Sequence, residues 1–437
     1  MRYPKILIIG QYFNTASGGG ITMTNLFKGW DKENIAVAAE TISNADFTVC
    51  NKYYQLGSLE IKRRFPFNLN PWKKPIPSGA LPATKLPATA ALLPGTKKDV
   101  PGNSFLLYLR LLHFTGLYHY KSRYRISTEF LSWIREYSPD IIYSQLSTIE
   151  LIGLVSDLHK KLDVPVAVHI MDDWPLTITK KGIFQSYWQK NINKQFRKLL
   201  EQSKVLLSIS EAMSKEYKIR YGYNFIPFHN PIDIKFWSLC SKTDYELKDR
   251  FIILYAGRIG MGIQNCFLDI AEAMKNLISK GLKIELHIQA TNFNPVLDEL
   301  AKFDFVKLHA SVPYSELPAI FSKSDLLLLP NDFDRKSVSF LKYSMPTKAS
   351  EYMASGTPVL LYSSVETAVT RNALKYQWAY VVSEKDIKKL ESAIFELYEK
   401  KELRIKLAHT AKEYAVNHFE SGKIREQFIN SLMAESA

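Results

Sequence analysis

The chain has 437 residues, 46% of them hydrophobic and 23% charged, with a formal net charge of +14 and a pI near 9.3. This length exceeds one ordinary core and predicts two domains, and the composition excludes a disordered or disulfide-built protein. Cys50, Cys240 and Cys266 form no CxxC or Cys/His cluster, so neither a zinc site nor any other metal is expected. Met1 to Phe13 lacks a signal-peptide pattern, and no run reaches the about 18–20 apolar residues of a spanning helix, so a cytoplasmic location is expected.

In chain order, Lys5–Gly10 (KILIIG) reads as a buried parallel strand. It feeds a glycine loop ending in Gly18-Gly19-Gly20, and helical spacing resumes with Met23, Leu26 and Phe27. Strand, glycine loop and helix in that order make the tight turn of a doubly wound fold. Residues 51–124 then carry eight of the twenty prolines, and Leu81–Thr84 (LPAT) recurs at Leu86–Thr89, so an extended insertion is expected from Phe65 to Gly102. Order returns with helices at Ile126–Tyr137 and Leu151–Lys161 and strands at Ile141–Tyr143, Val164–His169 and Val205–Ile209. A second alternating series follows: strands Phe251–Tyr255, Ile284–Gln289, Val306–Leu308, Asp325–Leu329 and Pro358–Tyr362, with helices between them. Leu403–Met433 reads as one or two terminal helices. The expected fold class is α/β, with two Rossmann-like domains over 1–235 and 236–415. Residues 416–437 form a terminal helix placed against the first domain.

Charge is concentrated. Residues 51–125 hold thirteen Lys or Arg against Glu60 and Asp99, while the remainder is nearly neutral. Lys62-Arg63-Arg64-Phe65-Pro66-Phe67 and Trp72-Lys73-Lys74 alternate cations with aromatics, which suits an anionic membrane surface. A solvated loop and single-stranded RNA contact are the other readings of this pattern, and no nucleic-acid motif accompanies it.

The most informative stretch is Lys342–Leu360, KYSMPTKASEYMASGTPVL. Pro346 starts a helix whose first turns carry Lys348 and Glu351, three apart and on one face. A helix N-terminus with a lysine suits phosphate, and a carboxylate suits ribose hydroxyls; a surface ion pair is the other reading. Tyr255-Ala256-Gly257-Arg258-Ile259-Gly260 follows an apolar strand, as a phosphate-binding turn does, and its arginine can meet a diphosphate in bidentate fashion. His169-Ile170-Met171-Asp172-Asp173 ends a strand, where α/β sites belong. Its two carboxylates could orient an acceptor hydroxyl, bind a cation or cap a helix.

Glu351–Val359 (EYMASGTPV) resembles the second half of the E-x7-E and AMA-x-G-x-PV helix of retaining GT-B glycosyltransferases, family four, in the branch making bacterial surface polysaccharides. Gly257-Arg258-Ile259, Ser210-Glu211-Ala212-Met213 and Asn230-Pro231-Ile232-Asp233 resemble further landmarks of that family. The resemblance implies two domains facing a cleft, a nucleoside-diphosphate sugar as substrate, no cofactor and a glycan or lipid-linked acceptor. It also implies retention at the anomeric carbon, while the cation and aromatic pattern of residues 51–125 is what suggests a peripheral position at the inner face of the membrane. It assigns Glu351 to the ribose, Arg258 and Lys348 to the diphosphate and to catalysis, and Gly19 and Gly20 to the donor. His169 and Asp173 join the catalytic group, and Asp172, Tyr343 and Ser344 take the acceptor or sugar side. Two family positions depart from the pattern: Tyr343 stands where the first glutamate falls, and Ile263 where a lysine is usual. Two other functions share the motif, a sugar-nucleotide epimerase and a donor-binding subunit without catalysis.

Overall fold

The computed structural model describes residues 3–14, 18–40, 42, 45–65, 67–69, 75–82, 103–177 and 183–433. Trp72–Lys74 and most of the LPAT repeat lie outside the described residues. Among the described residues, sixteen strands form two principal sheets and a short ribbon. In chain order the first ten are β1 (Ile6–Ile9), β2 (Ile35–Ala39), β3 (Lys52–Gln55), β4 (Ile61–Arg63), β5 (Gly79–Leu81), β6 (Ser122–Tyr124), β7 (Ile141–Gln145), β8 (Val166–Ile170), β9 (Ser203–Ser208) and β10 (Ile226–Pro227). The other six are β11 (Phe251–Gly257), β12 (Ile284–Ala290), β13 (Val306–His309), β14 (Leu326–Pro330), β15 (Val359–Tyr362) and β16 (Tyr380–Val382).

Two compact units result. Apart from residues outside the described set, the first comprises the chain up to His229 together with Arg425 onward, and the second comprises Asn230–Ile424. The first unit's sheet has the order β10-β9-β8-β7-β1-β2-β3-β5, parallel except where β5 runs antiparallel to β3. Strands β4 and β6 pair as a separate antiparallel ribbon. Several elements were not expected from the sequence. The alanine-rich IAVAA of β2 lacks the β-branched run that marked β1, and β3 lies inside the window read as basic and irregular.

Gly18–Gly20 also differ from expectation. They are not a loop but the first turn of the helix Gly18–Phe27. A Cβ at Gly19 would lie 2.5 Å from Gln11 Nε2, and one at Gly20 would overlap the Asn14 carboxamide. The glycines therefore make room for two polar side chains of the preceding segment.

In the second unit the order β13-β12-β11-β14-β15-β16 is the doubly wound Rossmann sequence, all parallel. Its topological switch lies between β11 and β14, where ligands of such sheets bind beyond the carboxyl ends. Both faces of β11 are covered. Ile253 and Tyr255 join one apolar cluster with Phe267 and Ile270, and Leu254 and Ala256 join the other with Tyr352 and Met353. That double burial explains the unbroken apolar run FIILYA, which has no polar alternation.

Candidate functional site

The carboxyl end of β11 and the helix Thr347–Ala354 are locked together by Tyr352. Its hydroxyl accepts from Ala256 N–H (3.0 Å) and lies 3.3 Å from the Ala256 carbonyl, to which it donates. The same helix is anchored from below by Asn230, which is fully buried. Asn230 donates to the Thr347 carbonyl (3.3 Å), and the Ser350 hydroxyl donates to the Asn230 carbonyl (3.1 Å). The Asn230-Pro231-Ile232-Asp233 landmark thus fixes the height of the helix that carries Lys348 and Glu351.

Lys348 reaches back over the strand end. Its Nζ donates to the Tyr255 hydroxyl at 2.8 Å and lies 4.0 Å from the centre of the Tyr255 ring. Tyr255 is itself fully buried, and its hydroxyl donates to the Arg258 carbonyl at 2.6 Å. One phenol therefore holds the lysine and the arginine turn in a single unit. The intervening residue has to be glycine. Gly257 has φ +139°, and a Cβ there would stand 2.5 Å from Lys348 Nζ.

Burial pushes the Lys348 ammonium down to about 7; Glu351 opposes the shift and Arg258 adds to it. Burial also raises the Glu351 carboxyl to about 7, against the Tyr314 hydroxyl and Lys348. Tyr314 donates to Glu351 Oε1 at 3.1 Å and stacks flat on Phe236, with 5.6 Å between ring centres and 7° between planes. Glu351 is 5% exposed, which removes the surface ion-pair reading of the Lys348–Glu351 spacing. Arg258 is exposed. The arrangement presents one free-standing guanidinium beside a held ammonium and a held carboxylate, all at the switch point of the sheet.

The turn after Arg258 is rigid. Gly260 and Ile263 exchange both backbone hydrogen bonds, at 3.1 and 2.9 Å. Asn292 clasps Ile259 through its N–H and its carbonyl, at 2.9 and 2.8 Å. Asp332 accepts from Gln264 N–H (3.2 Å) and Cys266 N–H (2.8 Å), capping the helix Cys266–Ser279. Ile263 packs against the core in this turn, so an apolar residue suits the position where the family has lysine. Tyr343 and Ser344 lie in the link between helices Arg335–Leu341 and Thr347–Ala354. Lys342 sits over the Tyr343 ring at 5.5 Å, and Ser344 is largely buried.

The remaining expected site residues belong to the first unit, and two of them take different parts from those expected. His169 is fully buried, with Nδ1 2.7 Å from the Tyr143 hydroxyl. Gln145 Nε2 donates to that hydroxyl (3.2 Å), and the phenol in turn donates a hydrogen bond to Nδ1 in the tautomer that carries its ring proton on Nε2. Burial pushes the imidazole down to about 4, against the backbone of Ser208 and Phe228. It is an interior neutral histidine, and direct contact with a sugar is corrected to a core role. Asp173 is 2% exposed and pairs with Arg220 through both carboxylate oxygens, at 2.7 and 3.1 Å. Tyr217 donates to Asp173 Oδ1 at 3.0 Å. This carboxylate is consumed by an ion pair, which corrects its catalytic assignment. Asp172 is exposed, and its carbonyl accepts from Trp174 N–H at 2.8 Å. Ser210 caps its helix through Met213 N–H, as a landmark of the fold rather than of the chemistry. Among the described residues no group of three or more His, Cys, Asp or Glu is placed to hold a metal ion.

Tyr255, Tyr314 and Asp332 were not singled out from the sequence. Tyr255 precedes the Gly-Arg pair by two residues, and its place at the end of an apolar strand was the available signal.

Residues 250–400 match the family model of glycosyl transferases group 1. No curated protein matches the chain. Among solved structures, sucrose-phosphate synthase from Thermosynechococcus elongatus is similar over 98% of this chain and 97% of its own, at 14% identity and a TM-score of 0.60. HepE of Anabaena, solved in complex with UDP-glucose, is similar over 98% and 99% at 12% identity and a TM-score of 0.60. An alpha,alpha-trehalose-phosphate synthase (UDP-forming) from Burkholderia xenovorans, solved with glucose-6-phosphate, is similar over 98% and 100% at 11% identity and a TM-score of 0.61. The chain therefore has the GT-B fold, and the match to glycosyl transferases group 1 falls on residues 250–400, within its second unit.

Proposed function

We propose that the protein transfers a sugar from a nucleoside-diphosphate donor to a hydroxyl of a glycan or lipid-linked acceptor, with retention, in the synthesis of a cell-surface polysaccharide. The observation that carries this reading is the Lys348–Tyr255–Arg258 arrangement at the end of β11, with buried Glu351 one helical turn away. When the bond between the anomeric carbon and the donor phosphate breaks, negative charge grows on the diphosphate. Arg258 offers two parallel N–H donors to it, and Lys348 adds a second charge from a fixed position. The Glu351 carboxylate accepts from the ribose hydroxyls and so fixes the nucleoside. The first unit takes the acceptor side, and the protein works from the cytoplasm at the inner face of the membrane that bears the acceptor.

Arg258→Ala tests the assignment. The side chain is exposed, so the fold survives, while turnover of the donor falls by about two to three orders of magnitude. Near-normal turnover would remove Arg258 from the chemistry. Binding of UDP-, GDP- and dTDP-sugars by calorimetry identifies the base. Incubation with the bound donor alone separates transfer from epimerisation, since only an epimerase makes a new sugar nucleotide without an acceptor. A donor that binds and is neither hydrolysed nor transferred would favour the catalytically silent alternative, for which Tyr343 and Ile263 are the relevant departures.

A further inference from the structure

The first unit carries an apolar surface that its own chain leaves in solvent. On the helix Asn103–Thr115, Leu107, Leu111 and Phe114 follow at i, i+4 and i+7, so they share one face, and each is more than half exposed. Leu112 points the other way and is buried. A second segment extends the same surface. Ile183 N–H donates to the Phe114 carbonyl (2.9 Å), and Ile183, Phe184 and Tyr187 are likewise more than half exposed. Trp188 pins the two segments together. Its indole N–H donates to the Thr115 carbonyl (3.1 Å), and its ring fills the space that a Cβ on Gly116 would need. Such a contiguous apolar surface marks an interaction site in a globular protein.

Its electrostatics are one-sided. Residues 103–125 and 183–190 contain Arg110, Lys121, Arg123, Arg125 and Lys190, and no Asp or Glu. The apolar helix runs through the turn Leu117–Tyr120 directly into the β4–β6 ribbon, where Lys62 pairs with Arg123. Arg64 lies over the Tyr120 ring at 4.7 Å. Glu40 meets this ribbon, where it accepts from the Tyr124 hydroxyl at 3.1 Å. Apolar side chains flanked by cations and aromatics match the boundary of a bilayer with anionic headgroups, where each Lys or Arg adds about fivefold in affinity. No described helix is long and apolar enough to cross a membrane.

We infer that the face formed by the helix Asn103–Thr115, the turn after it and residues 183–187 docks the protein on an anionic lipid surface. The inference deepens the proposal of a membrane-borne acceptor. It moves the contact from the proline-rich part of the 51–125 window to a helix and to a segment outside that window. It predicts that Arg110, Lys121, Arg123 and Arg125 steer the protein while Leu111, Phe114 and Phe184 enter the headgroup layer.

The test is co-sedimentation of the full-length protein with vesicles of phosphatidylcholine alone and of phosphatidylcholine mixed with phosphatidylglycerol. Binding to the mixed vesicles, weak binding to the neutral ones and release by salt are expected. The double variant Leu111→Ser/Phe114→Ser lowers vesicle affinity by about tenfold or more. Arg110→Glu/Arg123→Glu abolishes the preference for the anionic lipid. Calorimetric binding of UDP-glucose, read in the same preparations, is unchanged in both variants. Absence of vesicle binding by the native protein, or sedimentation of the Leu111→Ser/Phe114→Ser variant like the native protein, overturns the inference. So does a dimer in analytical ultracentrifugation that this variant dissociates, since a second copy would then cover the face. Because vesicle binding needs no donor, its failure leaves the glycosyltransferase reading standing, and loss of UDP-glucose binding leaves the lipid reading standing.

Discussion

Tyr255→Phe isolates the hydroxyl that joins the two cations of the site. The ring remains, so its 4.0 Å contact with Lys348 Nζ and its edge contact with Phe267 at 4.9 Å are kept. Two hydrogen bonds are lost, one from the Lys348 ammonium (2.8 Å) and one to the Arg258 carbonyl (2.6 Å). A bond to a charged group contributes about 1.5–3 kcal/mol and a neutral one about 1 kcal/mol, and Lys348 is only half-buried, so a net loss of about 1–2 kcal/mol is expected. Part of it appears in stability, measured by urea denaturation. The rest appears in affinity, because Lys348 is freed from its position and the Arg258 turn from its tether. A rise of about tenfold in the Kd for the sugar nucleotide that binds corresponds to about 1.4 kcal/mol. Isothermal titration reads it directly. If stability falls while the Kd stays at the native value, Tyr255 is a core residue and the positioning argument fails.

With Glu351, also held at about 7, replaced by Gln, donor affinity should fall as pH rises through 7, since burial holds Lys348 at about 7 and only its charged form attracts a diphosphate. The dependence approaches tenfold per pH unit at most. UDP-glucose is the suitable probe because its diphosphate diester does not titrate there. Lys348→Arg should flatten the profile, and an unchanged profile in that variant would assign the titration elsewhere. Asp173→Asn leaves Arg220 facing a neutral amide and should cost about 2–4 kcal/mol of stability, with UDP-glucose binding unchanged. A loss of donor affinity without a loss of stability would return Asp173 to the site. His169, depressed to about 4 from 6.5 by burial, takes up protons more readily unfolded than folded. Its contribution of about 3 kcal/mol is present above pH 6.5 and is lost as pH falls from there towards 4. His169→Gln should remove that part of the slope in acid denaturation; an unaltered slope would mean the imidazole is already charged in the fold.

The groups proposed to hold the donor were legible in the sequence because their signals are local. Lys348 and Glu351 share a helical turn, and Gly257-Arg258 follows a strand whose apolar run is unmistakable. What holds them was not legible. Tyr255 meets Lys348 across 93 positions and Tyr314 meets Glu351 across 37, and no periodicity encodes either meeting. His169 and Asp173 show the reverse error. They stand where strand ends place chemistry, but only the fold reveals that Tyr143 and Arg220 have already claimed them. The glycine triplet reads as a loop because glycine is a poor helix former, whereas its reason in the helix, space for Gln11 and Asn14, is a tertiary one. Strand β2 was passed over for its alanines, which are tolerated in a strand buried between β1 and β3.

Phe428 ties the two ends of the first unit together. It is fully buried, with ring centres 5.2 Å from Phe27, 6.0 Å from Tyr143 and 5.4 Å from Phe228. Arg425, one turn earlier, donates to the Asn25 carbonyl at 2.7 Å. Yet residues 425–433 are added only after Asn230–Ile424 have been synthesised. At a few to twenty residues per second the first unit waits roughly ten to forty seconds for the ring that completes its aromatic core. A chain that stops short of Phe428 should leave the faces of Phe27, Tyr143 and Phe228 that this ring covers open to solvent, which binding of a hydrophobic dye would read.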